Sequence, residues 1–502
     1  MSVRRPRAEE ALAAFVATPL DDVLARAERD DGRAAALALF HDAARDVPAY
    51  AAFLARHGVD AASVSRFEEL ARVPRMTKPD YVARYPLADR CWGGRLARAD
   101  RIAVSSGSTG EPTFWPRSLV DELPVARRFE QVLVDAFRAD ERTTLAVVAF
   151  PMGTWVGGVF TTSCLRHVAL RGRPITTVAP GNVKDEILRV AFALGPAFEQ
   201  VVLLGYPPFL KDVVDTGRAR GLDFAPLRPK LVLAGEVVSE AWRTLVCERI
   251  GADPRFDVAS LYGTADGGVL GCETPLSVAL RRFYADRPDA ARELFGEPRL
   301  PTLVQYDPTS RFFEVEDGTL SFTGDGGAPL VRYHIADEGG LFGFDELVAR
   351  AAALGFDAGE LVRAGAKVRR LPFVYVFGRS HFTVSFYGAN VYPENVAVGL
   401  EQPGVREHVT GKFVIVAHET EAKDKELRLV VELAPGAASS AALGAQVAAL
   451  VRDQLVRLNS EFAHYVPQHK QTPHVDLRPP GDPEYFPTGV KHRYTRPGSP
   501  SG

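Results

Sequence analysis

The stretch SSGSTGEPT, residues 105–113, combines the residue types that a loop needs to hold phosphate. Gly107 and Gly110 allow backbone N–H groups to approach an anion closely, and a strand-like run, RIAV, precedes the loop. Further hydroxyl groups come from Ser105, Ser106, Ser108 and Thr109. The G-x-x-x-x-G-K-[ST] pattern of a Walker A loop is missing, and a Ser/Gly/Thr loop taken alone is more often an ordinary loop.

The segments around this loop alternate between helix and strand patterns. Residues 8–70 keep apolar residues at helical spacing, with a break at Pro48. From about residue 98, short apolar runs alternate with helical stretches, which predicts an α/β sheet; the runs are RIAVSS, TLAVVAFP, QVVLLGYPP and PKLVLAGE. Each run ends in small or polar residues, and ligands of open α/β sheets gather at the carboxyl ends of strands.

The C-terminal part of the sequence has a different pattern of apolar and polar residues. The pattern becomes β-rich after about residue 310, and a hairpin is predicted at Asp317-Gly318. From about residue 381 the chain reads as a separate small unit. Its runs KFVIVAHE and ELRLVVELAPG predict strands, and AALGAQVAALVRDQLVRLNSEF predicts an amphipathic helix.

Composition and charge argue against several classes of protein. The 502 residues are 46% hydrophobic and carry a net charge of −3, so no electrostatic footprint indicates nucleic acid. The four cysteines are far apart and form no C-x-x-C pair, which argues against a zinc site or disulfide framework and favours a cytoplasmic location. Glu9 and Glu10 interrupt the N-terminal apolar stretch, so we expect a surface helix there and no membrane partner.

Six segments resemble, in order, motifs of the adenylate-forming superfamily, specifically its phenylacetate–coenzyme A ligase branch. The loop at 105–113 is similar to that branch's S-S-G-[ST]-T-G-K-P-T; the others are LAGEVVSEAWR, LYGTADGG, PLVRYHIADEG, VFGRSHFTVSFYGANVYPENV and FPTGVKHRY. The resemblance implies an adenylate-forming enzyme fold. Residues 1–380 would be the large N-terminal α/β domain, with a helical segment 1–95, and residues 381–502 a small mobile α+β lid.

The resemblance also implies an activity. ATP would activate a carboxylic acid as an acyl-adenylate, and the acyl group would pass to coenzyme A with release of AMP and pyrophosphate. The superfamily's motifs assign phosphate to residues 105–110, Mg²⁺ to Asp266, and the transition-state cation to Lys491. The remaining ATP- or AMP-binding positions would be Gly235, Glu236, Tyr262, Gly263, Thr264, Asp337 and Arg379.

Each assignment has a plainer alternative. Asp337 could be a turn residue, Arg379 a surface cation, Lys491 a solvated lysine of the tail and Tyr262 a core side chain. The sequence gives only weak information about the acyl pocket. In the phenylacetate–coenzyme A ligase branch the pocket is lined by residues after the AFP and GYPP runs, and the resemblance therefore implicates Trp155, Gly157, Gly158, Tyr206 and Tyr262. No obvious Lys or Arg there would pair with a second carboxylate, so we expect an aromatic or medium apolar monocarboxylate.

Four positions depart from the superfamily pattern. Glu111 replaces the loop lysine, Asp266 replaces a glutamate, His381 replaces the hinge aspartate, and Val490 stands where a glycine usually precedes Lys491. A carboxylate close to a triphosphate would cost about 1 to 4 kcal/mol, so we expect Glu111 to point away from it.

The acceptor and the activity therefore stay open at this point. The adenylate could pass to a carrier protein or an amine, or could arise from an inorganic acid such as nitrite. A catalytically decayed, nucleotide-binding regulatory protein is the alternative of another class, and a homodimer is possible.

Overall fold

The computed structural model describes residues 7–105, 113–296, 300–379, 384–434, 436–486 and 495–496. The chain divides into two compact units. The first comprises residues 1–104, 114–205 and 216–378, and the second comprises 105–113, 206–215 and 379–502.

The helices of the described chain are α1 (Ala8–Ala17), α2 (Leu20–Ala27), α3 (Arg33–Asp46), α4 (Pro48–Arg56), α5 (Leu119–Asp135), α6 (Val156–Leu170), α7 (Lys184–Leu194), α8 (Pro207–Ala219), α9 (Glu240–Ile250), α10 (Pro275–Ala285), α11 (Pro288–Phe295), α12 (Phe344–Ala353), α13 (Ala358–Arg363), α14 (Pro393–Leu400), α15 (Ala441–Leu458) and α16 (Ser460–Tyr465). The strands are β1 (Arg101–Ser105), β2 (Thr113–Arg117), β3 (Thr144–Val148), β4 (Ile175–Val178), β5 (Gln200–Gly205), β6 (Lys230–Ala234), β7 (Val258–Thr264), β8 (Gly268–Cys272), β9 (Thr302–Gln305), β10 (Phe312–Glu316), β11 (Thr319–Gly324), β12 (Leu330–Phe342), β13 (Phe373–Arg379), β14 (Val384–Phe386), β15 (Ala389–Val391), β16 (Val409–Glu419), β17 (Lys425–Leu433), β18 (His474–Arg478) and β19 (Thr495–Arg496).

The first unit is built on one large sheet. Among the described residues its strand order is β10-β11-β12-β13-β9-β8-β7-β6-β5-β3-β4. The strands from β4 to β7 pair in parallel, whereas β8 pairs antiparallel with β7. β3 and β5 are buried at every position, as expected for parallel strands that are covered on both faces. The predicted α/β sheet is thus confirmed for the runs TLAVV, QVVLLG and KLVLA.

The run RIAVS is an exception to that prediction. It forms β1, which pairs with β2 in a separate two-stranded sheet. Its residues alternate between partly exposed and buried positions, a pattern that does not suit a strand covered on both faces.

The antiparallel half contains the predicted hairpin. β10 and β11 pair from Phe312↔Thr323 to Glu316↔Thr319, and Asp317 and Gly318 connect them with positive φ angles of 52° and 71°. Positive φ at both loop residues is typical of a type I′ turn, which Asp-Gly favours.

The N-terminal helices follow the prediction as far as Arg56. Pro48 is the first residue of α4, where its missing N–H costs nothing, so it separates α3 from α4. Beyond α4 the predicted helix is wrong. Gly58 adopts a positive φ of 68°, and only 3₁₀ turns at Ala61–Ser63 and Phe67–Arg72 follow before residue 73.

Two buried arginines hold the C-terminal end of α1. Arg127 of α5 and Arg171 both donate to the carbonyl oxygens of Phe15 and Thr18, over distances of 2.5 to 2.8 Å. The Arg127 guanidinium also lies 4.3 Å from the centre of the Phe15 ring. The last carbonyls of a helix lack partners within it, so these arginines satisfy and anchor this end.

A second pair of buried arginines joins α9 and α10 to the large sheet; we call Arg243 and Arg281 the paired arginines. Arg243 donates two hydrogen bonds to Glu273, at 2.7 and 2.8 Å, and one to Glu240 at 3.0 Å. Arg281 donates to Glu240 at 2.5 Å. Burial alone would raise the pKa of Glu273, but Arg243 and Arg281 lower it.

The second unit contains a smaller sheet with the order β18-β17-β16-β19. The predicted strands KFVIVAHE and ELRLVVEL are β16 and β17, which pair antiparallel. The predicted helix is interrupted at Asn459, whose side chain caps α16 by accepting from the N–H of Phe462. A Cβ at Gly399 of α14 would lie 2.7 Å from Val451 Cα, so glycine allows α14 and α15 to pack closely.

Among the helices of the described residues, none combines the length and the apolar character that crossing a bilayer requires.

Candidate active site

The predicted nucleotide residues lie where two parallel strands of the large sheet end. Gly235 and Glu236 follow β6, and Tyr262, Gly263 and Thr264 form the end of β7. Because Ala234 and Leu261 are partners in the parallel register, these two strand ends are adjacent. The structure therefore brings these predicted positions together at the carboxyl edge of the sheet.

Tyr262 and Asp337 form a buried hydrogen-bonded pair. The Tyr262 hydroxyl donates to Oδ2 of Asp337 over 2.7 Å, and their side chains are only 8% and 6% exposed. Asp337 lies on β12 directly after Ala336, whose φ of 65° is unusual for a residue with a side chain. The Tyr262 ring stacks on Phe313, with 6.3 Å between ring centres. The carboxylate of Asp337 is thus held in one orientation.

A second tyrosine–aspartate pair involves Asp266, in the turn between β7 and β8. Tyr333 of β12 donates to Oδ2 of Asp266 over 2.5 Å, and Asp266 is 4% exposed. The ammonium of Lys78 lies 3.7 Å from Oδ1. The sequence analysis assigned a role to neither Lys78 nor Tyr333, although Tyr333 lies within the segment PLVRYHIADEG that carries part of the family resemblance.

Two further buried arginines hold the turn that carries Asp266; we call Arg117 and Arg311 the turn arginines. Arg117 donates to the carbonyl oxygens of Ala265 and Asp266, at 2.6 and 2.9 Å. Arg311 donates to the carbonyl of Gly267 at 3.0 Å. Three consecutive carbonyls are therefore fixed by two side chains.

The turn arginines have no direct counter-ion. Among the described residues, no carboxylate oxygen lies within 4.0 Å of either guanidinium. Burial lowers the pKa of Arg117, and it lowers the pKa of Arg311 to about 10. Their hydrogen bonds go to backbone carbonyl oxygens, while carboxylates at longer range, Asp121 among them for both arginines, oppose this lowering of the pKa.

Two residues at the end of β7 have structural reasons for their identity. The Thr264 hydroxyl accepts from the N–H of Gly267 at 2.9 Å and so closes the turn. A Cβ at Gly263 would lie 2.7 Å from the carbonyl oxygen of Gly268, because β7 and β8 approach closely there. Glycine is thus required by the hairpin, and its nucleotide role stays a prediction.

The described residues do not form a metal centre of their own. No group of three His, Cys, Asp or Glu side chains gathers among them. At Asp266, a hydroxyl and an ammonium already face the two oxygens of the only carboxylate assigned to Mg²⁺. Mg²⁺ prefers oxygen ligands, so this donor set does not fit a metal as arranged. The magnesium assignment stays a prediction, and no step below depends on it.

The predicted acyl pocket residues are distributed between the two units. In the first unit, Trp155 is 8% exposed and precedes α6. A Cβ at Gly158 would lie 2.4 Å from the carbonyl of Pro151, and one at Gly157 would lie 3.2 Å from Phe150 Cβ. The close approach of residues 150–152 is therefore sufficient to explain both glycines, and their role in an acyl pocket stays a prediction.

Tyr206 belongs to the second unit. Its ring centre lies 5.3 Å from that of Tyr465, and a Cβ at Gly388 would lie within 2.6 Å of its ring. Gly388 also has a positive φ of 82°, so only glycine suits this position. The pocket role of Tyr206 stays a prediction.

Several predicted site residues lie outside the described residues. They are Ser106, Gly107, Ser108, Thr109, Gly110 and Lys491, together with the departures Glu111 and His381. Ser105 is the last residue of β1 and is 4% exposed. Arg379 is the last residue of β13. Their phosphate, ribose and catalytic roles stay predictions.

Comparison with models of protein families gave no match, and comparison with curated protein sequences gave none. Among solved structures, the chain is similar to a 2-hydroxyisobutyryl-CoA ligase in complex with 2-HIB-AMP and CoA in its thioesterification state. The TM-score is 0.62 at 17% identity, and the match covers 99% of this chain and 94% of the ligase.

Two further structures of that ligase also match. An open conformation with 2-HIB-AMP and CoA has a TM-score of 0.52 at 16% identity, covering 95% of this chain and 91% of the ligase. A postadenylation state with R3-HIB-AMP has a TM-score of 0.52 at 17% identity, covering 95% and 89%. At such identities the likeness establishes the fold. The predicted adenylate-forming enzyme fold is confirmed, and the branch within it stays a prediction.

Proposed function

We propose that this chain activates a carboxylic acid with ATP as an acyl-adenylate and then transfers the acyl group to coenzyme A. AMP and pyrophosphate are the other products. The observation that carries the proposal is the buried Tyr262–Asp337 pair at the ends of β6 and β7, in a fold shared with a ligase solved with its adenylate and CoA.

In this proposal Asp337 receives the ribose hydroxyls. A carboxylate is a pure acceptor and suits two neighbouring hydroxyl donors. The Tyr262 phenol holds that carboxylate in place before the nucleotide arrives, which reduces the cost of ordering it during binding. Gly235 and Glu236, beside the end of β7, take the adenine side.

The first step joins two negatively charged reactants. A carboxylate oxygen of the acid attacks the α-phosphorus of ATP, the bond to the bridging oxygen breaks, and pyrophosphate leaves with the electron pair. Positive charge and correct positioning are the main contributions that a protein can make to such a step. Lys491 is proposed to bring an ammonium to the α-phosphate, on the support of its sequence motif, and Lys78 places a second ammonium beside Asp266.

The second step transfers the acyl group. The thiolate of coenzyme A attacks the acyl carbon, and the carbon–oxygen bond to AMP breaks. The proposed acid is aromatic or of medium apolar size, as supported by the bulky, nearly buried Trp155 and by the absence of an obvious cationic partner for a second carboxylate in the sequence of the pocket segments.

One observation favours a second candidate, a protein that binds a nucleotide without turning it over. The Asp266 carboxylate accepts a hydrogen bond from Tyr333 and lies beside the Lys78 ammonium. Such contacts are expected if Asp266 no longer binds a metal ion and the protein has lost metal-dependent catalysis. Tight ATP binding without pyrophosphate exchange on any acid would establish this candidate and reject the first.

ATP–pyrophosphate exchange over a broad acid library tests the activation step. Tyr262→Phe removes only the hydroxyl that holds Asp337, and we expect kcat/KM for ATP to fall by about tenfold, equivalent to one hydrogen bond to a charged group. Tyr306→Phe is the matched control, because Tyr306 is also buried and its ring packs edge-on against Phe313, with 4.9 Å between the ring centres. Equal losses in both variants would contradict the role of the pair.

Mass spectrometry of the products identifies the acceptor. We expect an acyl-coenzyme A thioester when the best acid is offered with coenzyme A. An amide, an acylated carrier protein, or exchange with nitrite alone would replace the second step while preserving the first.

A further inference from the structure

The Lys78 ammonium lies beside the candidate active site and keeps its hydrogen-bond donors unused. Its Nζ is 3.7 Å from Oδ1 of Asp266, close enough for an ion pair but too far for a hydrogen bond. Within the part of the chain that the structure describes, this Nζ donates no hydrogen bond. The side chain is 38% exposed, so a molecule that arrives from solution can reach the ammonium.

Two other lysines use their charge inside the protein. Lys211 is 1% exposed and donates to Asp215 and Asp424, each over 2.7 Å. The nearly buried Lys230 donates to a carboxylate over 2.5 Å. Lys78 differs from both, because a carboxylate holds its charge in place while its donors stay available to another group.

The backbone that carries Lys78 is fixed to β12. Met76 is fully buried, and its carbonyl oxygen accepts from the N–H of His334 at 2.9 Å. Thr77 accepts from the N–H of Asp80 at 3.1 Å and so caps the helical turn that Lys78 begins. Lys78 therefore starts a turn of defined conformation, two residues after a contact with the strand that also carries the tyrosine partner of Asp266.

The contacts of Asp266 favour this ammonium over a metal ion. Tyr333 donates to Oδ2, so Oδ1 is the oxygen left to face a cation. A Mg²⁺ ion bound to Oδ1 at about 2.1 Å would lie at most about 6 Å from the Lys78 ammonium, and the two positive charges would repel each other. The position therefore suits one cation, and Lys78 already provides it.

We propose that Lys78, in place of a metal ion at Asp266, binds a phosphate group of the nucleotide. The inference rests on the proposed function, which puts ATP at the ends of β6 and β7, next to the Asp266 turn. Asp266 acts as a positioning residue, because its carboxylate holds the ammonium while the Tyr333 hydroxyl holds the carboxylate. An ammonium offers three donors on a compact charge, which suits the acceptor oxygens of a phosphate. Nucleotide binding then needs no metal ion held by the protein.

Equilibrium dialysis with radiolabelled ATP and adenosine, both in EDTA, tests this proposal. EDTA removes any metal ion that would bridge ATP and Asp266, and adenosine lacks the phosphates. We expect the wild type to bind ATP more tightly than adenosine by about tenfold or more. Lys78→Met should reduce the ratio of the two affinities about tenfold, as expected for a hydrogen bond between charged groups, and Lys78→Arg should restore part of it. A purely structural role would weaken the binding of both ligands equally.

Lys367→Met is the matched control. The Lys367 side chain is 43% exposed and its ammonium lies 3.9 Å from Oδ2 of Asp21, so it resembles Lys78 in exposure and in the length of its ion pair. This control should keep the wild-type ratio. The proposal would be overturned by an unchanged ratio in Lys78→Met, by an equal fall in the control, or by a wild type that prefers ATP only after Mg²⁺ is added.

Failure of the proposed function would give a different result. A wild-type protein that binds neither ATP nor adenosine lacks the nucleotide site, and both the proposed function and the role of Lys78 are then rejected. If the wild type binds both ligands and Lys78→Met changes neither affinity, only the role of Lys78 is rejected.

Discussion

The paired arginines and the turn arginines are equally buried but are satisfied in opposite ways. Arg243 and Arg281 meet Glu240 and Glu273, so their charges are compensated inside the protein. Arg117 and Arg311 meet only carbonyl oxygens, beneath the turn that carries Asp266. The first group is suited to holding helices on a sheet. The second leaves positive potential next to the place where we propose that anionic reactants bind.

The largest expected effect is on the stability contributed by the paired arginines. Glu273→Gln would leave Arg243 buried with its bidentate partner removed, and breaking such a pair costs about 3 to 5 kcal/mol of unfolding free energy. Chemical denaturation measures this. Glu248→Gln on the exposed face of α9 is the matched control and should change little; a similar loss there would remove the distinction between the two groups.

The same difference should depend on pH. Arg243 and Arg281 lower the pKa of Glu273 in the folded protein below its usual value of 4.5. A lowered folded-state pKa contributes stability that is present above pH 4.5 and lost as the pH falls through the lowered value. The stability gap between wild type and Glu273→Gln should therefore shrink on acidification, as followed by denaturation at several pH values. A constant gap would contradict the ion pair.

For the turn arginines we expect a loss of activity larger than the loss of stability. Arg117→Met removes hydrogen bonds to two carbonyls but also removes a buried cation that no carboxylate contacts directly, so unfolding free energy should fall by less than about 2 kcal/mol. Loss of a fixed Asp266 turn should reduce pyrophosphate exchange about tenfold, or roughly 1.4 kcal/mol. If Arg117→Met lost as much unfolding free energy as Glu273→Gln, the turn arginines would contribute to stability as the paired arginines do, and the proposed difference between them would be wrong.

The smallest effect sets the scale for the others. Glu346 and Arg350 form an exposed pair four residues apart on α12, with 3.0 Å between charged atoms. Pairs of this kind contribute about 0.3 to 0.5 kcal/mol, so Glu346→Gln should shift the unfolding midpoint only slightly. A larger shift would show that surface charge matters more here than the buried comparison implies.

The sequence allowed the fold to be predicted because the helix and strand signals are local patterns, and it predicted that Gly235 and Tyr262 follow or end strands, which they do. Apolar runs marked β3, β5 and β6, and the Asp317-Gly318 signal marked the hairpin. The side chains that fix the site were not predictable in the same way. Arg117 meets the Asp266 turn across 149 positions of sequence, and no periodicity or spacing encodes such a contact.

The glycines illustrate the same limit. From the motifs, Gly157 and Gly158 were predicted to belong to the acyl pocket and Gly263 to bind the nucleotide. The structure shows that neighbouring backbone and side chains already occupy the space around them. A glycine in a motif thus indicates that some other group lies close to the backbone at that position. Only the folded structure shows whether that group is a ligand or another part of the protein.

The grip of Arg127 and Arg171 on the end of α1 has a practical consequence for anyone shortening this chain. Deleting the first eighteen residues would remove the Phe15 and Thr18 carbonyls and uncover two guanidinium groups together with Glu130, which is 0% exposed. Removal of this N-terminal helix would therefore expose buried charged groups on α5 and at the end of α6. Purification tags are better added ahead of α1 than exchanged for it.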